Sequence, residues 1–451
     1  MDRLSATVVF AFLLLALYGC GDTAQLPADA GVGPRPQIPE PRRDAIPTVH
    51  IAAAKGWANG AMPQAAAGLS VRPFAEGLDH PRWLYVLPNG DVLVAETNAP
   101  PKPEDGKGVK AWFVEKAQAK AGAGVPSANR ITLLRDADKD GVAETRTVFL
   151  GGLYSPFGMA LVGDTFYVAN SNAVVRFPYR SGATNITAVG TVAAELPAGP
   201  INHHWTKNII ASPDGKRLYA TVGSNSNVGE NGIEKEDRRA AILEIDLATG
   251  ASRVFASGLR NPNGLGWERT TGALWTVVNE RDELGSDLVP DYLTSVKDGA
   301  FYGWPYSYYG QHVDVRMKPP RPDLVENAVV PDYALGAHVA PLGMVFAAGK
   351  GLPERFSEGV FVGQHGSWNR QPFNGYNVVF VPFSKGSPAG RPVEVLSGFI
   401  DSNNEALGRP VGVAIDATGA LLVADDVGNT IWRVETDPSS VQVSSAAGPR
   451  G

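Results

Sequence analysis

Gly408-Arg409-Pro410-Val411-Gly412, followed shortly by Leu422-Val423-Ala424-Asp425, is the stretch on which the reading of this chain turns. It has a recurring form: a small residue, Pro or another turn former, an apolar strand, a Pro/Asp/Asn-Gly turn, and a second apolar strand closed by a polar residue. Working outward, the phrase occurs six times. It runs from Gly77-Leu78-Asp79-His80-Pro81 to Leu93-Val94-Ala95-Glu96, and from Gly152-Leu153-Tyr154-Ser155-Pro156 to Tyr167-Val168-Ala169-Asn170. The third copy passes from His204 through Ser212-Pro213-Asp214-Gly215 to Ala220-Thr221-Val222-Gly223, the fourth from Gly258-Leu259-Arg260-Asn261-Pro262 to Trp275-Thr276-Val277-Val278-Asn279. The fifth spans Val339-Ala340-Pro341-Leu342-Gly343 to Gly363-Gln364-His365. Four copies are followed by an outer strand, such as Ala241-Ile242-Leu243-Glu244-Ile245. Short strands with Gly/Pro turns at a period of roughly 50 residues are the mark of propeller blades, none of which can bury both faces alone. The expectation is an all-β, six-bladed β-propeller over residues 71–436. Two stacked sandwiches would not repeat one phrase.

The bulk properties agree. With 44% hydrophobic and 19% charged residues and 51 glycines in 451, the chain is globular and turn-rich. A formal charge of −6 with no basic block argues against nucleic acid as a partner. After Met1 to Thr7 comes the apolar run Val8 to Tyr18, too short for a stable membrane span but suited to a signal-peptide core over residues 1–19. It ends in Leu17-Tyr18-Gly19-Cys20, which resembles a bacterial lipobox, and Cys20 is the only cysteine. The reading is an exported, periplasmic or cell-surface lipoprotein, held to the membrane through acylated Cys20. Residues 20–70, rich in Pro and Ala, read as a disordered linker and 437–451 as a disordered tail.

Polar residues that close strands should gather around the central channel: Glu96, Asn170, Asn279, His365 and Asp425. Two loop segments carry more chemistry. Asn202-His203-His204-Trp205-Thr206-Lys207-Asn208 precedes the third strand pair, and histidine suits general-base work near neutrality. Gly258-Leu259-Arg260-Asn261-Pro262-Asn263-Gly264 places a cation at the next blade entrance.

Together these segments resemble the PQQ-dependent sugar dehydrogenases of the glucose/sorbosone type. The likeness continues through Asn279-Glu280-Arg281-Asp282, Phe301-Tyr302-Gly303-Trp304-Pro305 and Gly363-Gln364-His365-Gly366-Ser367-Trp368-Asn369-Arg370, and covers about Val71 to Glu435. The resemblance implies oxidation of an aldose or sorbosone-type sugar by hydride transfer to PQQ, with His204 as base and Arg260, with Asn261 beside it, near the reactive quinone carbonyl. It implies Arg370 and Arg409 as partners of the PQQ carboxylates. It also implies Ca²⁺ held largely by backbone carbonyls near the start of the 279–282 segment, at Glu280 and Arg281. The glucose dehydrogenases have Asp-His where this chain has His203-His204, and Gln near Ser155. Lacking the cysteine pair of a haem-attachment motif, the chain would pass electrons to a separate acceptor, a cytochrome or quinone.

A second calcium site reads from the residues themselves. Asp136-Ala137-Asp138-Lys139-Asp140-Gly141-Val142-Ala143-Glu144 sets acidic oxygens at positions 1, 3, 5 and 9, with the Val142 carbonyl at 7 and Gly at the bend, between two strands. Two other functions fit the same shape: a propeller lactonase holding a divalent metal through Glu96, Asn170, Asn279 and Asp425, and a non-catalytic ligand-binding propeller.

Overall fold

The computed structural model describes residues 22–27, 29–42, 48–101, 120–122 and 124–439. The signal-peptide reading, Cys20, and most of the expected tail lie outside the described residues. No helix among the described residues is long and apolar enough to cross a membrane.

Six antiparallel sheets stand around one axis, as expected. Their first strands are Pro81–Val86, Met159–Val162, Ile209–Ala211, Asn261–Trp267, Pro341–Phe346 and Pro410–Ile415, and each touches the first strand of the next blade. The second strands Val92–Glu96, Gly359–Gln364 and Leu421–Asp425 are buried throughout, and the other three at all but one end residue. That explains their continuous apolar runs, since a strand covered on both faces has no solvent side to alternate with. All six blades have an outer strand: Thr145–Leu150 alternates over its first four residues, whereas Tyr333–Ala337, covered in turn by Val32–Gly33, is buried throughout. The sixth blade is completed from the far end of the chain: Leu69–Ala75 pairs antiparallel with Thr430–Thr436.

The repeated Pro-x-Gly has a packing cause. A Cβ on Gly158 would lie 2.4 Å from the nitrogen of Ile209, on Gly264 2.7 Å from that of Met344, on Gly343 2.3 Å from the Val411 oxygen, and on Gly412 2.7 Å from the Arg82 oxygen. In each case backbone of the next blade occupies the space a side chain would need, so glycine lets the inner strands converge.

The Pro/Ala-rich stretch corrects one expectation. Its described residues are fastened to the propeller and do not hang free. Val32–Gly33 pairs with the outer edge of the fourth blade, Gln64–Ala65 with that of the fifth, and Ala53–Ala54 runs parallel to Glu405–Ala406. Asp22 Oδ2 accepts from the Ser286 nitrogen at 2.7 Å, His50 stacks on Phe373 at 3.9 Å, and Trp57 Nε1 donates to Asp425 at 2.7 Å. These backbone pairings outweigh the extended tendency that the composition gives an isolated segment.

Candidate functional site

A cavity of about 560 Å³ opens at the face of the ring where first strands begin. His204, Arg260, Asn261, Asn279 and Glu280 line it, together with Tyr154, His203, Trp205, Asp282, Asp291, His338, Trp368 and Asn369. The two loop segments therefore meet in one cleft.

His204 sits in the loop before Ile209–Ala211. Its Nδ1 lies 2.7 Å from the Ser224 carbonyl and 3.1 Å from Ser224 Oγ, whose own proton goes to the Ser226 carbonyl at 2.7 Å. A carbonyl can only accept, so Nδ1 carries the proton and Nε2 is left as the lone-pair nitrogen. Burial, then the neighbouring Arg260 charge, holds the imidazole well below the usual histidine range, against the Ser224 hydrogen bond. His204 is thus neutral and ready to take a proton.

Arg260 spans the cleft floor. Its Nη1 donates to the Glu280 carbonyl at 2.5 Å, and its Nη2 to Asn227 Oδ1 at 3.0 Å and Asp282 Oδ2 at 2.9 Å. Asp282 Oδ1 in turn accepts from Asn369 at 2.7 Å. Asn261 heads its strand. Arg260 Nε and Asn261 Oδ1 are buried without a partner, as is Glu280 Oε1. Unpaired buried polar atoms are rare, and a group of them at one cleft fits a polar ligand. Asp291 faces the same cleft: burial pushes its carboxyl up to about 8, although the Glu280 and Ala340 nitrogens donate to it at 2.7 and 2.8 Å.

Several expected site residues are placed elsewhere. The Arg281 side chain is fully buried and engaged by Glu280, Asp314 and the Pro305 and Ser307 carbonyls, so it does not enter the cleft; the expectation for this residue concerned its backbone carbonyl. Arg370 donates inward to the Ser286 carbonyl at 3.0 Å and the Pro372 carbonyl at 2.7 Å, though its neighbour Asn369 lines the cleft. Arg409 lies behind the cleft wall, donating to the Ala52 carbonyl at 3.0 Å with its guanidinium over the Tyr376 ring. It belongs to a second polar cluster around Asp426, which accepts from Arg82 at 2.7 Å and faces His365 at 2.9 Å and His80 at 3.7 Å. The Nε atoms of Arg82 and Arg409 and Nε2 of His80 are also buried without partners, and Arg82 lies over the ring of Trp205, a cleft residue.

Of the strand-closing residues expected to converge, only Asn279 lines the cleft. Glu96 is held by Arg130 at 3.0 and 2.7 Å, and Asn170 accepts from the Tyr154 nitrogen. Asp425 accepts from Trp57, Trp432 and the backbone nitrogens of Arg409 and Gly428. His365 is turned to Asp426. The carboxylate/amide set of the lactonase reading does not assemble. Among the described residues the only grouping of three or more metal-type side chains is Asp136, Asp138, Asp140 and Glu144, whose ligand atoms lie within 4.8 Å of one another. That loop joins Arg130–Arg135 to Thr145–Leu150, as read from the sequence. Backbone nitrogens of Gly141, Ala137, Asp140 and Val142 each take one carboxylate oxygen of the four side chains.

The sequence model of the family described as Glucose / Sorbosone dehydrogenase matches residues 164–367, and that of the TrAA12-like family residues 324–437. Among solved structures, the chain is similar to the PQQ domain of pyranose dehydrogenase from Coprinopsis cinerea in its holo form, with a TM-score of 0.65 at 21% identity over 85% of this chain and 100% of that one. It is similar also to the Trichoderma reesei carbohydrate-active enzyme of family AA12, with a TM-score of 0.68 at 19% identity over 87% and 100% of the two chains. These likenesses concern the fold. By sequence it is 28% identical over 246 residues to an uncharacterised protein of Borreliella burgdorferi, covering 54% of this chain and 63% of that protein. It is 25% identical over 311 residues to the pyrroloquinoline quinone-dependent pyranose dehydrogenase of Coprinopsis cinerea, covering 55% and 42%. The chain spans about half the length of the curated relatives it matches.

The sequence reading missed Asp282, Asp291, Asn227 and His338. Asp282 stands beside Arg281 in a segment already singled out. Asp291 gave no signal, because it lies in the apolar strand Pro290–Val296.

Proposed function

We propose that this protein is a PQQ-dependent oxidoreductase acting on an aldose or sorbosone-type sugar, with His204 as the base. The observation that carries the reading is the neutral His204, its tautomer fixed by the Ser224 carbonyl, sharing one cleft with Arg260. PQQ, when bound, supplies the hydride acceptor. His204 Nε2 takes the proton from the sugar C1 hydroxyl as that carbon is oxidised. Arg260 Nε and Asn261 Oδ1 would hold the cofactor at the cleft. Trp368 and Tyr154 give the cleft aromatic surface. Ca²⁺ is part of the proposal at two places: with the Glu280 segment at the cleft, and structurally in the Asp136–Glu144 loop.

The test is direct. Purified protein given PQQ and Ca²⁺ should oxidise members of an aldose panel with an artificial electron acceptor. His204→Ala should lower turnover by roughly 10²- to 10⁴-fold while PQQ binding persists. Arg260→Ala should also lower it, and His203→Ala should do less. Absence of any bound quinone absorbance would overturn the reading and leave a non-catalytic binding propeller. Electrons leave to a separate acceptor, and the physiological site is the periplasm or cell surface, with the protein tethered through Cys20.

A further inference from the structure

The loop between Thr191–Glu195 of the second blade and Ile209–Ala211 of the third has no strand pairing of its own, yet it supplies Ala198, Pro200, His203, His204 and Trp205 to the cleft. Two cations lie beneath it. Arg239, 6% exposed, sends Nη2 to the carbonyls of Pro197 at 3.1 Å, Ala198, and Ile201 at 3.4 Å, and to Asn202 Oδ1 at 3.1 Å; its Nη1 reaches the Gly223 carbonyl at 3.2 Å. Lys207, fully buried, sends Nζ to the same Asn202 Oδ1 at 3.3 Å and to the carbonyls of His204 at 3.0 Å and Trp205 at 3.4 Å.

We propose that Lys207 and Arg239 are positioning residues that staple the loop by its inward carbonyls and so fix His204 in the cleft. This rests on the reading of His204 as base. All the hydrogen-bond acceptors of both cations are neutral oxygens. Burying a cation without a hydrogen-bonded carboxylate is costly, and an apolar side chain would fill the same space without that cost. What an apolar side chain cannot do is satisfy the loop's inward carbonyls. Burial, then the neighbouring Arg239 charge, holds Lys207 well below the usual lysine range, and its N–H protons all turn to the loop's three oxygens. Asn202 joins the two cations through one oxygen, so the staple is continuous from Pro197 to Trp205. Arg239 also grips the Gly223 carbonyl, next to the residue whose carbonyl receives His204 Nδ1. Both sides of the histidine are therefore held from below.

The groups facing His204 are Arg260 across the cleft, His203 beside it, Lys207 beneath it and the Ser224 carbonyl. The three charged or titratable neighbours oppose its protonation. Removing Lys207 should then loosen the loop and also ease protonation of His204, two effects that a filler residue would not have.

The experiment uses Lys207→Met, which keeps length and removes the donors, with Lys207→Arg as the rescue. In the apo-protein, hydrogen exchange of the amides from Ala198 to Trp205 should rise at least tenfold in Lys207→Met, and the His204 imidazole nitrogen signals should depart from the single Nδ1–H tautomer. In the PQQ-loaded protein, kcat should fall by about 10²-fold, the worth of a base misplaced by an ångström, with the acid limb of its pH profile moved upward and KM little changed. Lys207→Arg should recover most of each loss. Should Lys207→Met fail to fold, Asn202→Ala, which removes the shared oxygen, must raise exchange in the same segment. Parent-like loop exchange and an unchanged His204 tautomer would overturn the staple. Because both are read without cofactor or sugar, absence of dehydrogenase activity would count against the function and leave the staple standing or falling on its own data.

Discussion

Gly223→Ala is the perturbation whose outcome the coordinates fix most tightly. Gly223 directly follows the second strand of the third blade, Arg217–Val222, and precedes Ser224. A Cβ built on it would stand 2.4 Å from the Cβ of His204 and 2.5 Å from Oδ1 of Asn261. Carbon atoms in contact rest about 3.5–4.0 Å apart, so His204 must withdraw by roughly 1 Å. Gly223 does not have a positive φ, so the alanine is penalised by contact alone. Overpacking of this kind costs about 1–3 kcal/mol, a tolerable loss for a propeller of this size. The functional loss is larger, since a displacement of about 1 Å at a catalytic group is worth about 10²-fold in rate. Asn261 shares the displacement, so PQQ affinity should weaken as well. The assay is turnover with PQQ, Ca²⁺ and an artificial acceptor, beside a thermal melt and a quinone titration. Gly151→Ala is the control, because its added Cβ would meet nothing closer than Val148 at 3.8 Å. A folded Gly223→Ala protein with parental turnover would refute the placement of His204 against Gly223 and, with it, the assignment of the base.

Two further outcomes follow from the loop and the leader. Chelation should lower the melting temperature, and Asp138→Ala should remove most of that sensitivity; a variant as chelator-sensitive as the parent would move the structural Ca²⁺ away from the Asp136–Glu144 turn. Cys20→Ser should shift the protein from the membrane fraction to the soluble one, and a variant still processed and membrane-bound like the parent would refute the lipid anchor.

The blades were legible because the phrase that repeats is the phrase that packs. Pro sets the start of an inner strand, and the Gly two residues on, as in Pro262-Asn263-Gly264, admits the neighbouring backbone. An edge strand such as Thr191–Glu195 carries little signal, because its exposed positions dilute the apolar pattern. His204, Arg260 and Asn261 could be read because each lies in or beside a loop ahead of a first strand, where periodicity lapses and residue type stands out. Asp282, Asn227 and His338 come from segments far apart in the chain and acquire meaning only through their contacts: Asp282 and Asn227 hydrogen-bond each other and Arg260, and His338 faces Asp282 at 3.8 Å. Arg370 and Arg409 show the converse error. A cation in a promising segment says nothing about whether its guanidinium turns to a cleft or to nearby carbonyls. The Pro/Ala-rich stretch read as a linker because its anchors, Asp22, His50 and Trp57, are isolated among residues with no period.

The pairing of Leu69–Ala75 with Thr430–Thr436 sets an order of events. The first strand of the propeller finds its partner only in the last, so ribosomal or translocational emergence of nearly the whole chain must precede closure. Until then Leu69–Ala75 waits without its partner and presents an open edge, the kind of surface on which unfinished β-proteins join one another. Joining segments so distant in sequence is also slow. A chain that emerges from one end therefore depends on the interval before its last strand being kept free of other copies, and its yield should fall with the rate of synthesis well before the finished ring shows any loss of stability.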